Sequence, residues 1–229
     1  MSARTAYRIS LIAGLLVIAL TVYSAIQPPV PVCGKLDKSY TPIIAFELVR
    51  STPDLHAIFG AAPGACRTAI AARMDFINTI DSFPFIPLYG AFLFFFFLAR
   101  RPSGLANLGA VLVVLACLAD YVENYALFHL SAAPDTPGRW LTLLIWATET
   151  KWVGLGIANA LGGFLLWNAR NPLSYLALLL CLVGTAASLV SIVAPAKVGP
   201  ALSNAIALGW LVFLIVAARE SFRSSRAAA

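Results

Sequence analysis

Long apolar segments, separated by short polar segments that contain proline, dominate the chain. A helix needs about 20 apolar residues to span the hydrocarbon of a bilayer, and proline interrupts a helix. Six segments are long enough, at 8–26, 76–99, 104–130, 140–168, 173–194 and 200–218. The pattern predicts an all-α fold, a polytopic membrane helix bundle with six transmembrane helices in a single integral membrane domain, 1–229.

A long loop, residues 27–75, separates the first two predicted spans. Its stretches TPIIAFELVRS (41–51) and PDLHAIFG (53–60) are typical of short helices, and Pro53 suits a first helical position. Residues 64–76 are predicted to run without a break into the second span. We expect this helical loop between helices 1 and 2 to cover one end of the bundle rather than form a separate domain.

The composition supports a membrane location. The chain is 60% hydrophobic and 11% charged, whereas about a quarter of the residues of a soluble domain are charged. The net charge is +6, but the basic residues lie at the ends of apolar runs. The positive-inside rule explains this placement better than nucleic-acid binding does. We therefore predict no nucleic-acid partner.

The same rule predicts the orientation. With a cytoplasmic N-terminus, the short outer loops hold only Arg139 and Lys197. The inner side then holds Arg4, Arg8, Arg100, Arg101, Arg170, Arg219, Arg223 and Arg226. We predict a multi-pass protein of the cell membrane (an inner membrane), with both termini cytoplasmic and the loop 27–75 extracytoplasmic.

The first span has an alternative interpretation as a cleavable signal peptide. Arg4 and Arg8 precede an apolar run, and Val22-x-Ser24 could precede a cleavage site. Cleavage would leave five spans and a mature N-terminus outside. The length of the apolar run favours a membrane span instead.

Two of the four cysteines, Cys33 and Cys66, lie in the long loop. An oxidising compartment would permit a disulfide between them, but spacing alone does not establish pairing, and two free thiols are the alternative. Cys117 and Cys181 lie within predicted spans, where a thiol acts as a small apolar side chain.

The stretch LADYVENYALF, 118–128, places carboxylates inside the third predicted span. Asp120, Glu123 and Asn124 share one helix face, and Tyr121 flanks it. A charge at the centre of a membrane helix costs about 2.5–3.5 kcal/mol on insertion scales. These acids must therefore pair, hold a proton, bind a cation or face water.

The second and fourth predicted spans contribute acids near the same end. Asp75, Asn78 and Asp81 follow at intervals of three, before two prolines that predict a kink. In the fourth span, Glu149 and Lys151 point to nearly opposite sides. We expect Glu149 to face the bundle, and Lys151 to face another helix or extend toward the interface. By contrast, FLFFFF (92–97) is predicted to face lipid.

These residues predict an acidic pocket open to the outer leaflet that binds or processes a lipid-like or isoprenoid-like molecule. Whether a reaction occurs stays open, as do the cofactor and the oligomeric state. The candidate catalytic residues are Asp120, Glu123 and Glu149. The candidate ligand-binding residues are Asn124, Asp75, Asn78, Asp81, Tyr89, Tyr121, Lys151, Glu47, Arg50 and His56, the last three closing over the pocket from the loop.

The same polar residues have three other interpretations: a prenyltransferase-like site, a proton-coupled transporter and an accessory subunit of a complex. Asp75-x-x-Asn78-x-x-Asp81 with Asp120-x-x-Glu123 resembles the paired acidic motifs of intramembrane prenyltransferases, which implies magnesium diphosphate; spacing, length, span number and sidedness differ. The residues themselves predict no metal site, since only two histidines are present and HExxH is absent. A proton-coupled transporter would need polar groups across the full membrane thickness. An accessory subunit would use the acids to join helices.

Overall fold

All regular secondary structure in the described residues, 1–167 and 171–223, is helical in this computed structural model. The predicted all-α fold is confirmed. The elements are α1 (Ala3–Ala25), α2 (Pro42–Glu47), α3 (Thr52–Phe59), α4 (Ala65–Ile80), a π-helical turn (Asp81–Phe85), α5 (Ile86–Leu98), α6 (Gly104–Ala132), α7 (Gly138–Trp167), α8 (Pro172–Val193) and α9 (Pro195–Phe222). Position 168, where the fourth span was predicted to end, lies outside the described residues, as do Arg170 and Arg226.

The chain is a multi-pass membrane protein. Five helices within the described residues are long and apolar enough to cross a membrane: α1, the continuous helix Ala65–Leu98, α6, α8 and α9. Helix α7, with 30 residues, is also long enough to cross a membrane, but it is more polar than these five helices. Its polar residues Thr148, Lys151 and Asn159 are buried and make hydrogen bonds to α2, α6 and α9.

The six long helical segments form a closed ring. From α5 to α9, consecutive helices pack against each other, and α1 packs against both α5 and α9. The N-terminal helix is thus part of the bundle, and its Ser10 hydroxyl donates to the Phe92 carbonyl at 2.8 Å. The ring brings the first and last helices side by side.

The predicted lipid exposure of FLFFFF was wrong. Phe92, Leu93, Phe96 and Phe97 are buried, because α5 packs against α1, α6 and α9 at once. The ring of Phe96 stacks on Phe213 of α9 with centroids 4.4 Å apart. This run therefore forms much of the core between the first and last helices.

The second span is continuous, as predicted, but the predicted kink is a π-helical turn. Pro84 lies within this turn, and a proline lacks the N–H that an α-helix would use there. The Asn78 carbonyl accepts a hydrogen bond from the Ser82 hydroxyl at 2.7 Å. The turn redirects the helix face just where Asp81 lies, as π-bulges often do near functional sites.

Residues 27–64, here called the lid, cover one end of the bundle and include α2 and α3. Helix α2 contacts α6, α7 and α9, and the Tyr40 hydroxyl donates to the Pro195 carbonyl at 2.8 Å. The α2 and α3 positions match the predicted loop helices. An apolar cluster joins the lid to the bundle through Phe46, Leu55, Ile58, Phe59, Ile70, Met74, Leu127, Leu130 and Leu144.

A disulfide and a group of ion pairs hold the edges of the lid. Cys33 and Cys66 form a disulfide, with Cα atoms 5.9 Å apart, between the lid and the start of α4. Asp135, in the α6–α7 connection, lies 2.6 Å from Arg67 Nη1 and 2.8 Å from His56 Nε2. Hydrogen bonds from Arg67 and His56 lower the pKa of Asp135.

Candidate functional site

Lys151 of α7 lies among three carboxylates at the lid end of the bundle. Its Nζ is 2.9 Å from Glu47 Oε2 and 3.3 Å from Asp120 Oδ1, and it donates a hydrogen bond to Glu123 Oε1. Relative exposures are 5% for Lys151, 9% for Glu47, 4% for Asp120 and 1% for Glu123. We call these four residues the Lys151 cluster. Three elements, α2, α6 and α7, meet there.

Neutral donors fix the carboxylates of the Lys151 cluster. The Tyr89 hydroxyl donates to Asp120 Oδ2 at 2.7 Å, and Trp152 Nε1 donates to Glu47 Oε2 at 3.1 Å. The Thr148 hydroxyl also donates to the backbone carbonyl of Glu47 at 3.2 Å. Each hydrogen bond joins two different elements, so the acids are held in defined positions.

A fourth acid, Asp81, lies beside the cluster at the start of the π-helical turn. Its Oδ2 accepts a hydrogen bond from Asn124 Nδ2 at 2.6 Å, and the same amide nitrogen is 3.0 Å from the Ser82 hydroxyl. Asn124 thereby joins α6 to the π-helical turn. Asn124 follows Glu123 and points about 100° away from it around α6, so α6 contacts the π-helical turn and Lys151 from two adjoining sides.

The Lys151 cluster carries more negative than positive charge. Three carboxylates surround one ammonium group, and a buried charge without a partner is strongly unfavourable. Among the described residues, Asp120 Oδ1 and Glu123 Oε2 are buried and accept no hydrogen bond. Burial raises the pKa of Glu47, and the Lys151 ammonium opposes that effect. The site is therefore built to hold an added proton or a cationic group.

A cavity of about 640 Å³ opens beside the cluster, within the range of about 300–1,000 Å³ typical of ligand pockets. Its polar end is formed by Glu47, Asp81, Asp120 and Lys151. Mostly apolar side chains of α1, α2, α5, α7 and α9 line the remainder, with Thr21, Ser203 and Asn204 as its polar members. The cavity thus has one polar end and a long apolar wall.

The mouth of the cavity lies between α1 and α9. Lining residues from both helices are also exposed on the bundle surface: Ile18 (44%) and Val22 (55%) from α1, and Leu208 (39%) and Leu211 (50%) from α9. In a membrane this surface faces hydrocarbon.

Aromatic side chains form the wall next to the acids. Tyr89 and Trp210 stack with centroids 5.3 Å apart, Phe85 meets Tyr89 edge-on at 5.7 Å, and Phe92 meets Trp210 edge-on at 6.2 Å. All four residues line the cavity. Aromatic faces next to carboxylates attract cations.

The structure brings together seven residues that the sequence indicated for the site: Glu47, Asp81, Tyr89, Asp120, Glu123, Asn124 and Lys151. Lys151 faces other helices, which is one of the two placements expected for it, and does not extend to the interface. The placement expected for Glu149 was wrong. Glu149 lies outside the cluster, where it pairs with Arg50 at 3.3 Å and both side chains are 25% exposed.

The other candidates lie apart from the cavity. Asp75 accepts a hydrogen bond from the Ser131 hydroxyl at 2.5 Å, and Asn78 is buried at 3% exposure. His56 contacts Asp135 rather than the acids of the Lys151 cluster. Tyr121 is 42% exposed and lines a separate apolar groove between α5 and α6, about 330 Å³ in volume.

Trp152 and Trp210 were missed as site residues. Tryptophan at membrane helix ends is common for interfacial reasons, so their presence in the sequence indicated no particular partner. Ser203 and Asn204 of α9 also line the cavity, although the sequence indicated no site residue in spans five and six. The packing of α9 against α1, α2, α5 and α7 brings it to the site.

Within the part of the chain that the structure describes, no group of three or more His, Cys, Asp or Glu side chains is arranged to hold a metal ion. The acids instead surround Lys151. The magnesium site implied by the prenyltransferase resemblance therefore has no ligand set there. No protein-family model, no curated protein and no solved structure matches this chain.

Proposed function

We propose that this protein binds a lipid-like or isoprenoid-like amphiphile, with the polar head beside the Lys151 cluster and the apolar part in the cavity. The observation that carries the proposal is a single cavity with an apolar wall and a polar end formed by Glu47, Asp81, Asp120 and Lys151. Ligand sites commonly combine apolar lining with a few convergent polar groups. The exposed α1 and α9 residues at its mouth support entry from the bilayer.

For any acid–base chemistry at this site, Asp120 is the best-supported candidate. It lines the cavity and accepts a hydrogen bond from Tyr89. Glu123 contacts Lys151 behind the cavity wall, and Glu149 pairs with Arg50. We therefore assign Glu123 to positioning Lys151, and we remove Glu149 from the proposed site. Proton-coupled transport and an accessory role in a larger complex stay predictions.

The proposed orientation has six spans, including α7, with the lid outside the cell membrane and both termini in the cytoplasm. Arg4 Nε donates to the Ser221 carbonyl at 3.2 Å, so the start of α1 and the end of α9 lie at one end of the bundle. An even number of crossings agrees with that contact. Reporter fusions at both termini and in the 133–137 connection would test this topology, with opposite signals expected for the termini and the connection.

A cavity-filling variant tests the proposed function. Ala207 of α9 lines the cavity, whereas Ala186 of α8 is exposed and does not. We expect purified wild-type protein in a maltoside detergent to retain a co-purifying amphiphile, identified by mass spectrometry of an organic extract. Ala207→Phe should lose it, and Ala186→Phe should keep it. Equal retention by all three proteins would contradict the proposal.

A further inference from the structure

We infer that the head group recognised at the polar end of the cavity is a protonated amine on an apolar body, and not a phosphate. The inference rests on the proposed function and names its ligand class. It depends on the balance of charges at the cavity, on the direction of the hydrogen bonds there, and on the aromatic wall beside them.

The charges at the polar end of the cavity are mostly negative. Glu47, Asp81 and Asp120 line it, and Lys151 is the one ammonium group among the described lining residues. An ammonium group has three N–H donors. Lys151 directs hydrogen bonds to Glu47 and Glu123 and lies 3.3 Å from Asp120. Its positive charge is therefore already engaged by protein carboxylates.

Hydrogen-bond direction gives the same result. Tyr89, Asn124 and Trp152 donate to Asp120, Asp81 and Glu47 respectively. Their protons are used on these acids, and the acids keep lone pairs free, since each ionised carboxylate accepts about four hydrogen bonds. The polar end therefore presents acceptors to a ligand, and a ligand must supply the donors.

Asp120 Oδ1 has the Lys151 ammonium as its one described partner, at 3.3 Å, and shares it with Glu47 and Glu123. The Asp120 side chain is 5% exposed, and its Oδ1 accepts no hydrogen bond from the described residues. The hydrogen bonds of Lys151 go to Glu47 and Glu123, so one ammonium group is shared among three carboxylates. An ammonium group at the polar end of the cavity would offset the excess negative charge of the cluster.

The aromatic wall suits the same head group. Phe85, Tyr89, Phe92 and Trp210 line the cavity together with the acids. Aromatic faces attract ammonium groups within about 6 Å of the ring centroid. Trp210 Nε1 is buried without a described partner, but it is a neutral donor and supplies no positive charge.

A phosphate head group fits poorly. It would add negative charge beside carboxylates whose single nearby ammonium is already paired, and like charges placed together are strongly unfavourable. Arginine is the usual partner of phosphate. Arg50, a ligand-binding candidate from the sequence, is paired with Glu149. The inferred ligand therefore differs from the diphosphates that the prenyltransferase resemblance implied.

The experiment compares three probes of equal chain length: hexadecylamine, hexadecyl phosphate and hexadecanol. Each is titrated onto the full-length protein in maltoside micelles near neutral pH, and native mass spectrometry gives the apparent Kd. We expect the amine to bind at least about tenfold more tightly than the phosphate or the alcohol.

A compact amine, 4-phenylbutylamine, distinguishes two kinds of amine ligand. Tighter binding of hexadecylamine indicates a long-chain lipid base, and equal binding of the two amines indicates a small hydrophobic amine.

Two matched variants locate the effect. Asp81→Asn removes a cavity charge without touching Lys151 and should weaken amine binding by about tenfold while leaving the alcohol unchanged. Glu149→Gln removes an acid outside the cavity and should change neither the Kd of the amine nor the Kd of the alcohol. Phosphate or alcohol binding as tight as amine binding would overturn the inference. If Ala207→Phe then abolishes the phosphate or alcohol binding, the cavity still binds amphiphiles and the proposed function stands. If none of the probes binds in the cavity, both the proposed function and the amine inference are refuted.

Discussion

Lys151 Nζ lies 2.9 Å from Glu47 Oε2, and this contact joins the middle of α7 to the lid across 104 residues of sequence. Glu47 also accepts a hydrogen bond from Trp152, and its backbone carbonyl accepts one from Thr148. The lid is thus attached to the bundle at the polar end of the cavity. Glu47 therefore anchors the lid and also lines the cavity.

Replacement of Lys151 by methionine should destabilise the protein strongly. The change leaves three buried carboxylates without their cation, and breaking a buried ion pair from one side costs about 3–5 kcal/mol. We expect a clearly lower apparent Tm in detergent by fluorescence-detected unfolding. Lys197→Met, at an exposed position, should leave the Tm close to wild type.

A compensating variant distinguishes charge from packing in that result. Lys151→Met combined with Glu47→Gln and Glu123→Gln removes two of the three carboxylate charges. Because a well-satisfied neutral site can replace a buried ion pair, the triple variant should recover much of the lost Tm. A triple variant less stable than Lys151→Met would show that the charge imbalance is not the cause.

Glu47 should make the stability of the wild-type protein fall as the pH rises. Burial raises the pKa of Glu47, with Lys151 opposing, so the folded state keeps the proton to a higher pH than the unfolded chain does. Stability from this group is full below the unfolded value of about 4.3 and is lost as the pH rises through the folded value. Glutamine does not titrate, so Glu47→Gln should reduce this dependence.

The measurement is the apparent Tm of wild type, Glu47→Gln and Glu149→Gln from about pH 5 to about pH 8. The advantage of wild type over Glu47→Gln should shrink or reverse toward the alkaline end. Glu149→Gln, which changes an acid outside the Lys151 cluster, should keep the wild-type trend. A Glu47→Gln curve parallel to wild type would show that Glu47 does not change its proton affinity on folding.

The disulfide between Cys33 and Cys66 should stabilise the docked lid. It closes a loop with a sequence separation of 33 residues, and removing a disulfide of this kind costs about 2–4 kcal/mol. Cys33→Ser with Cys66→Ser should lower the apparent Tm, and a reductant should lower the Tm of wild type but not of the variant. Alkylation of denatured protein should label Cys117 and Cys181 without reductant, and all four cysteines with it.

The helices could be predicted from the sequence, but their neighbours could not. Apolar length and proline positions determine where spans begin and end, so α6 and the lid helices lie where predicted. The closing contact of α1 with α9 depends on packing between residues far apart in sequence. Lipid and a membrane protein core are equally apolar, so composition could not show that Phe96 and Phe97 face inward.

The acids of the site were predicted, but their pairing was not. Spans two to four carry Asp81, Asp120 and Glu123 toward one end, so their convergence follows from topology. Helical spacing shows that Glu149 and Lys151 point to opposite sides, but it does not show which side faces inward. Only the position of α2 decides this, because Glu47 supplies the third carboxylate for Lys151 and Arg50 the partner for Glu149.

Gly162 of α7 should be intolerant of even a methyl group. A Cβ built there would lie 2.2 Å from Phe213 Cζ. Phe213 is fully buried and stacked on Phe96, so its ring has no free space into which to move. Overpacking of this kind costs about 1–3 kcal/mol. Gly162→Ala should lower the apparent Tm and loosen the contact between α7 and α9.

Gly104 provides the matched control for Gly162→Ala, because it is also a helical glycine and no described atom outside its own helix turn lies within 4 Å of an added Cβ. Gly104→Ala should be neutral or stabilising by about 0.4–1 kcal/mol, since alanine restricts the unfolded chain. Both variants add one methyl group to a helix, and alanine favours the interior position of Gly162 at least as much as the first position of Gly104, so a lower Tm for Gly162→Ala reports the Phe213 clash. Equal Tm values would mean that α7 and α9 are not packed as closely at Gly162 as the ring of six helices requires, and the α9 wall of the cavity would then lie further from Lys151.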